Sequence, residues 1–137
     1  MQQDGDWLVT VGVDVSDRYS QLCVLGDDGA ILREERVRTT TAALTRALGT
    51  LRGARVVLEV GPLSPWLSRL FAELGHDVIV ANPRRVALIA RSQRKTDRSD
   101  AEQLARLGRF DPELLAPIQH RGAEARRTSR SSAAGTR

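Results

Sequence analysis

Four carboxylates, Asp14, Glu59, Asp97 and Asp100, stand where the chain pattern would gather them. Asp14 ends the apolar run Trp7-Leu8-Val9-Thr10-Val11-Gly12-Val13-Asp14, and Glu59 ends Val56-Val57-Leu58-Glu59. Asp97 and Asp100 open a helical stretch after a third apolar run, Val78-Ile79-Val80. A carboxylate at a strand end is costly to leave unpaired, so several of them call for a cation. Two Mg²⁺ ions (Mn²⁺ serves equally) about 3.5–4 Å apart, held by such acids, would suit phosphodiester hydrolysis or transfer. They activate an oxygen nucleophile, stabilise the leaving oxygen and neutralise the phosphate. Asp14 is placed to bridge both ions, with Glu59 facing it from the next strand. Asp97 and Asp100, three apart, would share one face of a helix N-terminus, where the helix dipole eases the crowding of negative charge. Singly, each acid has a plainer reading: a helix cap for Asp97 or Asp100, a turn with Ser16 and Asp17 for Asp14. Only the four in order point to a metal site.

The elements that must position these acids follow from periodicity and turn signals. Trp7 to Val15 reads as a buried strand, and Tyr19 to Leu25 as a second. Gly26-Asp27-Asp28-Gly29 turns that strand into a third, Ala30 to Val37. Thr39 to Leu51 is helical, capped by Thr39, Thr40 or Thr41, and Gly53 precedes a strand from Arg55 to Glu59. Ser64 and Pro65 read as N-cap and first residue of a helix lined by Trp66, Leu67, Leu70, Phe71 and Leu74. His76 to Ala81 is a short buried strand. Asn82-Pro83 opens a helix with Val86, Ala87, Ile89 and Ala90 as its apolar side, and Thr96 to Gly108 forms the last one. Three strands joined by tight turns pair antiparallel, and two strands reached through helices join them in parallel. That is an α/β ribonuclease-H-like architecture, a five-stranded mixed sheet flanked by helices. A doubly wound nucleotide-binding sheet would place a helix directly after its first strand.

Composition narrows the classes. A chain of 137 residues with a hydrophobic fraction of 41% suits one soluble domain. Its apolar runs fall far short of the ~20 residues of a membrane span, and its acidic start is unlike a signal peptide. The lone Cys23 reads as a small core residue, which suits a reducing cytoplasm. His76 and His120 are too few and too scattered for zinc, and neither common Gly-rich phosphate loop occurs. Five arginines against Glu124 in residues 118–137 account for the entire net charge of +4, so residues 1–117 are balanced. Within that body, Arg84, Arg85, Arg91, Arg94, Lys95 and Arg98 cluster against Asp97 alone and are the candidate contacts to a nucleic-acid backbone. Their plainer reading is a solvated helix face. Gly122 to Arg137 lacks Leu, Ile, Val and aromatic residues and is expected to be disordered.

Four motifs in order, Gly12-Val13-Asp14-Val15-Ser16, Leu58-Glu59-Val60-Gly61, Ala81-Asn82-Pro83-Arg84-Arg85-Val86 and Lys95-Thr96-Asp97-Arg98-Ser99-Asp100-Ala101, resemble the N-terminal domain of DEDD transposases of the insertion-sequence one-ten family. That domain is similar to the Holliday-junction resolvase RuvC. The resemblance runs from about Trp7 to Gln119. It implies that Asp14, Glu59, Asp97 and Asp100 are the DEDD acids of a DNA recombinase that moves an insertion sequence. The implied partners are DNA, a structured guide RNA and further copies in the full-length family, with no membrane. Family members continue into a second domain bearing a serine nucleophile. The expectation is therefore a RuvC-like catalytic domain over residues 1–117, a truncated or frameshifted basic tail over 118–137, and no recombination unaided. Rival readings are a stand-alone resolvase-like nuclease, a non-catalytic nucleic-acid-binding remnant, and an actin-like ATPase fragment.

Overall fold

A computed structural model describes residues 8–92 and 98–120, without the side chains of residues 90–92. Five strands form one sheet: β1 (Thr10–Asp14), β2 (Tyr19–Leu25), β3 (Ile31–Arg38), β4 (Arg55–Glu59) and β5 (Asp77–Ala81). Their order is β3-β2-β1-β4-β5. The first three pair antiparallel, and β4 and β5 extend the sheet in parallel from β1, so the ribonuclease-H-like arrangement holds. The helices are α1 (Thr41–Leu48), α2 (Ser64–Glu73), α3 (Pro83–Ser92) and α4 (Asp100–Phe110), followed by a short 3₁₀ turn at Pro112–Leu115. Among the described residues, no helix is long and apolar enough to cross a membrane.

Strand alternation sorts the core into two layers. Val11 and Val13 of β1, Leu22 and Val24 of β2, and Val56 and Leu58 of β4 face α1 and α2, where Leu44, Leu48, Leu67 and Phe71 complete the larger cluster. The opposite residues face α4: Cys23 and Leu25 meet Ala101 and Ala105, while Val57 meets Leu104 and Leu107. Cys23 is a buried core thiol, and burial, with Glu34 and Glu102 nearby, pushes it up to about 11. It is therefore a poor nucleophile at neutral pH.

Small residues let α4 lie directly on the sheet. A methyl added to Gly12 would overlap the Ala101 carbonyl, and one added to Gly108 would overlap the Val57 side chain. At its far end α4 grips the β2–β3 turn. Arg106 donates to the Gly29 carbonyl at 3.1 Å and Arg109 to that of Asp27 at 2.8 Å. Glu102 receives the Arg106 guanidinium at 2.7 Å, one turn away on the same helix.

Several boundaries differ from the sequence reading, each for a local reason. Helix α4 begins at Asp100 rather than near Thr96, because Ser99 caps it by accepting from the Glu102 N–H at 3.1 Å. Thr40 is the cap of α1, accepting from Ala43. Ser64 is not the cap of α2; that position falls to Leu63, which offers no side-chain acceptor. The Ser64 hydroxyl instead donates to the Gly61 carbonyl at 2.8 Å and accepts from the Gly61 N–H at 3.0 Å, closing the loop after β4. Ala87 is exposed, so the apolar side of α3 is carried by Val86 and Ile89.

His76, just before β5, is buried with both ring nitrogens used. The Ala54 N–H donates to Nδ1 at 2.9 Å, leaving Nε2 to donate to the Leu48 carbonyl at 2.9 Å. His120 reaches back to the loop after β4, where its Nε2 lies 2.9 Å from the Ser64 hydroxyl. Residues 121–137, most of the segment read as a tail, lie outside the described residues.

Gly12→Ala forces α4 off β1 and is expected to cost about 1–3 kcal/mol or more in denaturant unfolding. Gly61→Ala, whose added carbon meets nothing within 4 Å, should stay within about 0.5 kcal/mol of the parent. Equal stabilities for the two variants would contradict this packing.

Candidate metal and phosphodiester site

The β1–β4 register aligns Gly12 with Val57, and carrying it two residues on sets Asp14 beside Glu59 at the ends of neighbouring parallel strands. Both follow the alternation of Gly12 and Val57, so both side chains emerge on the α4 side of the sheet. Strands in a sheet lie about 4.8 Å apart, so the two carboxylates are close neighbours. Because α4 lies antiparallel on β1, it delivers Asp100, its first residue, to the same end. The three acids thus come from three elements, with Gly12 setting how closely α4 approaches. Sequence pattern alone gave no reason to single out Gly12 for that role.

The three acids share one electrostatic neighbourhood. Burial raises the Asp14 carboxyl above its ordinary range, and the negative charge of Asp100 raises it further. Glu59 is raised by burial first, then by Asp100 and Asp14. Among the described residues none of the three has a cationic partner within ion-pair distance. Half-buried carboxylates that repel one another and lack a counter-ion form a donor set suited to a hard divalent cation.

The set is open rather than closed. Among the described residues, no three acidic, His or Cys side chains are gathered tightly enough to enclose an ion by themselves. Asp100 is exposed, and Asp97 lies outside the described residues, as do Arg94 and Lys95. An open arrangement still fits Mg²⁺, which retains waters and binds through one or two carboxylates plus substrate phosphate rather than in an all-protein cage.

A cleft of about 140 Å³ opens at these acids, walled by Asp14, Ser16, Glu59, Gly61, Ser64 and Leu104. Ser64 and His120 hold the Gly61 loop in place along that wall, a tie invisible in sequence because its partners are 56 residues apart. A larger cleft, about 430 Å³, lies between α2, β5 and residues 117–120. Among the described residues its one carboxylate, Asp77, is held by Arg55 at 2.9 Å, so it is a poorer place for a cation.

The basic candidates are less uniform than their clustering suggested. Arg84 and Arg85 are exposed on the first turn of α3, where Arg85 reaches the Leu114 carbonyl at 3.3 Å. Arg98 is exposed but sits 3.5 Å from Glu102. Arg91 lies in α3, and its side chain is not among those described.

Because the folded-state carboxyls of Asp14 and Glu59 are raised, the folded protein holds their protons more readily than the unfolded chain does. Parent stability then declines as pH climbs from the ordinary carboxylate range through the raised values. In metal-free buffer near neutral pH, Asp14→Asn and Glu59→Gln should therefore melt above the parent, with the gain fading on acidification. A lower melting temperature for both amides near neutral pH would refute the crowding of charge.

Comparison with known families places the chain. No curated protein matches the chain. The family profile of the DEDD transposases of the insertion-sequence one-ten group, described as "Transposase", matches residues 11–130. That span covers most of the chain and takes in β4, α4 and all of β1 but its first residue, the three elements that carry the acids. The chain accordingly belongs to the DEDD transposase family of the insertion-sequence one-ten type.

Proposed function

We propose that this domain carries out the metal-dependent phosphodiester chemistry of DNA transposition, with Asp14, Glu59, Asp97 and Asp100 holding Mg²⁺ or Mn²⁺. The observation that carries the reading is the side-by-side emergence of Asp14 and Glu59 at two parallel strand ends without a cationic partner among the described residues. Bound divalent metal supplies charge neutralisation at the phosphate and a more acidic coordinated oxygen nucleophile. The protein's own residues do the rest. Asp14, on the strand shared by both halves of the sheet, fixes the centre of the site. Glu59 supports it from β4, and Asp100 closes it from the N-terminus of α4, where the helix dipole tempers its charge. Ser64 and Gly61 hold the wall against which a scissile strand would lie.

Family membership makes DNA the partner. A structured guide RNA, assembly with further copies, and backbone contacts by Arg84, Arg85, Arg91, Arg94, Lys95 and Arg98 belong to the same proposal, with the chemistry confined to residues 1–117.

Calorimetric titration with Mn²⁺, in the presence of a non-cleavable DNA duplex, tests the reading without requiring turnover. The parent should bind, and Asp14→Asn should bind at least about tenfold more weakly, some 1.4 kcal/mol. Equal binding by parent and variant, or no binding by the parent, would overturn it.

A further inference from the structure

Strand register places an unassigned basic and aromatic platform on the same face as the acids. In the β1–β2 pairing Asp14 stands opposite Gln21, and in the β2–β3 pairing Gln21 stands opposite Arg36. Directly opposed residues share a face, so Glu59, Asp14, Gln21 and Arg36 form one row across four strands. One step along, Tyr19 pairs with Arg38 on that same face. The parity is independently fixed: Cys23 and Leu25, alternate with Tyr19 and Gln21, pack against α4, while Val37 packs into the opposite core.

The end of this face is open. Helix α4 covers β2 at Cys23 and Leu25, and Gln21, Arg36 and Arg38 are exposed. The Arg36 guanidinium lies 4.1 Å from the centre of the Tyr19 ring and that of Arg38 lies 5.6 Å from it. Among the described residues neither arginine has a carboxylate within ion-pair distance, whereas Arg33, on the other face of β3, pairs with Glu35 at 3.0 Å. Two guanidiniums held over one ring repel each other and keep their donor edges free for an anion. Exposed Arg18 adds a third positive charge beside Tyr19.

We propose that Arg36, Arg38, Tyr19 and Gln21 form a docking platform for the phosphodiester backbone of the DNA strand that enters the acidic site. Arg36 is two strands from Asp14, about 10 Å away. At about 3.4 Å per nucleotide along a duplex axis, that spans roughly three nucleotides. A strand crossing the row would be held by Arg36 and Arg38 on one side while its scissile phosphate met the carboxylates on the other. The platform offsets the repulsion that Asp14 and Glu59 exert on a polyanion. It rests on the proposed function only for the meaning of the acidic end; the binding itself needs no metal.

Fluorescence polarisation of a labelled DNA duplex, in EDTA and across a salt titration, tests the platform on the full chain. The Arg36→Glu/Arg38→Glu double variant should weaken binding at least about tenfold, and the slope of log affinity against log salt should flatten by about two. Arg36→Gln/Arg38→Gln, which removes charge without adding any, should flatten the slope equally and provides the reading if the glutamate form does not fold. Parent-like affinity and slope in the folded glutamine variant would overturn the platform, as would a loss confined to an RNA duplex of the same sequence. If the arginine variants lose DNA while the parent binds no Mn²⁺ in calorimetry, the platform stands and the acidic-site reading falls.

Discussion

Helix α4 lies on β1 with no side chain between them at Gly12, and that contact governs the geometry around it. Asp14 is two residues further along the same strand, and Asp100 is the residue before the alanine whose carbonyl faces Gly12. A bulkier residue at position 12 would therefore displace one acid relative to another, in addition to loosening the core. The opposite end of α4 is fastened by Arg106 and Arg109 to the carbonyls of the β2–β3 turn, which fixes its direction along the sheet. Small residues bring the helix close, and two guanidiniums keep it from sliding. The acids are the consequence.

The same geometry explains why the site is costly to the fold. Burial raises the proton affinity of Asp14 and Glu59, the charge of Asp100 at the helix start adds to both, and that of Asp14 adds to Glu59. The larger cleft beside β5 carries no such tension, since Asp77 there is neutralised by Arg55. Among the described residues, uncompensated half-buried charge separates the acidic cleft from the larger one more clearly than size does.

Much of this was legible in the sequence because the signals were local. Tyr19–Leu25 and Arg55–Glu59 could be bounded by turn residues and apolar content, and strand order followed from connection lengths. That order alone set Asp14 and Glu59 side by side. Long-range partners were not legible. Ser64 looks like a helix cap until His120 and Gly61 are seen to claim its hydroxyl. Ser99 sits between two acids and gives no stronger cap signal than they do, so the start of α4 at Asp100 is set by a hydroxyl contact that the sequence does not single out. Arg36 and Arg38 were hidden for a different reason. In sequence they belong to a mixed-charge edge strand, and only cross-strand register reveals that they share a face with Asp14. The basic cluster from Arg84 to Arg98 is dense in sequence, although Arg98 is partly engaged by Glu102.

The central claim is that acids from β1, β4 and α4 converge on one cation position, and paramagnetic broadening by Mn²⁺ in an amide-resolved NMR spectrum tests it most directly. The account predicts that substoichiometric Mn²⁺ selectively broadens signals of residues around Asp14, Glu59 and Asp100, while those at the β2–β3 turn and around Asp77 stay sharp. Broadening centred on Asp77, on the Asp27-Asp28 turn, or spread evenly over all surface acids would contradict it.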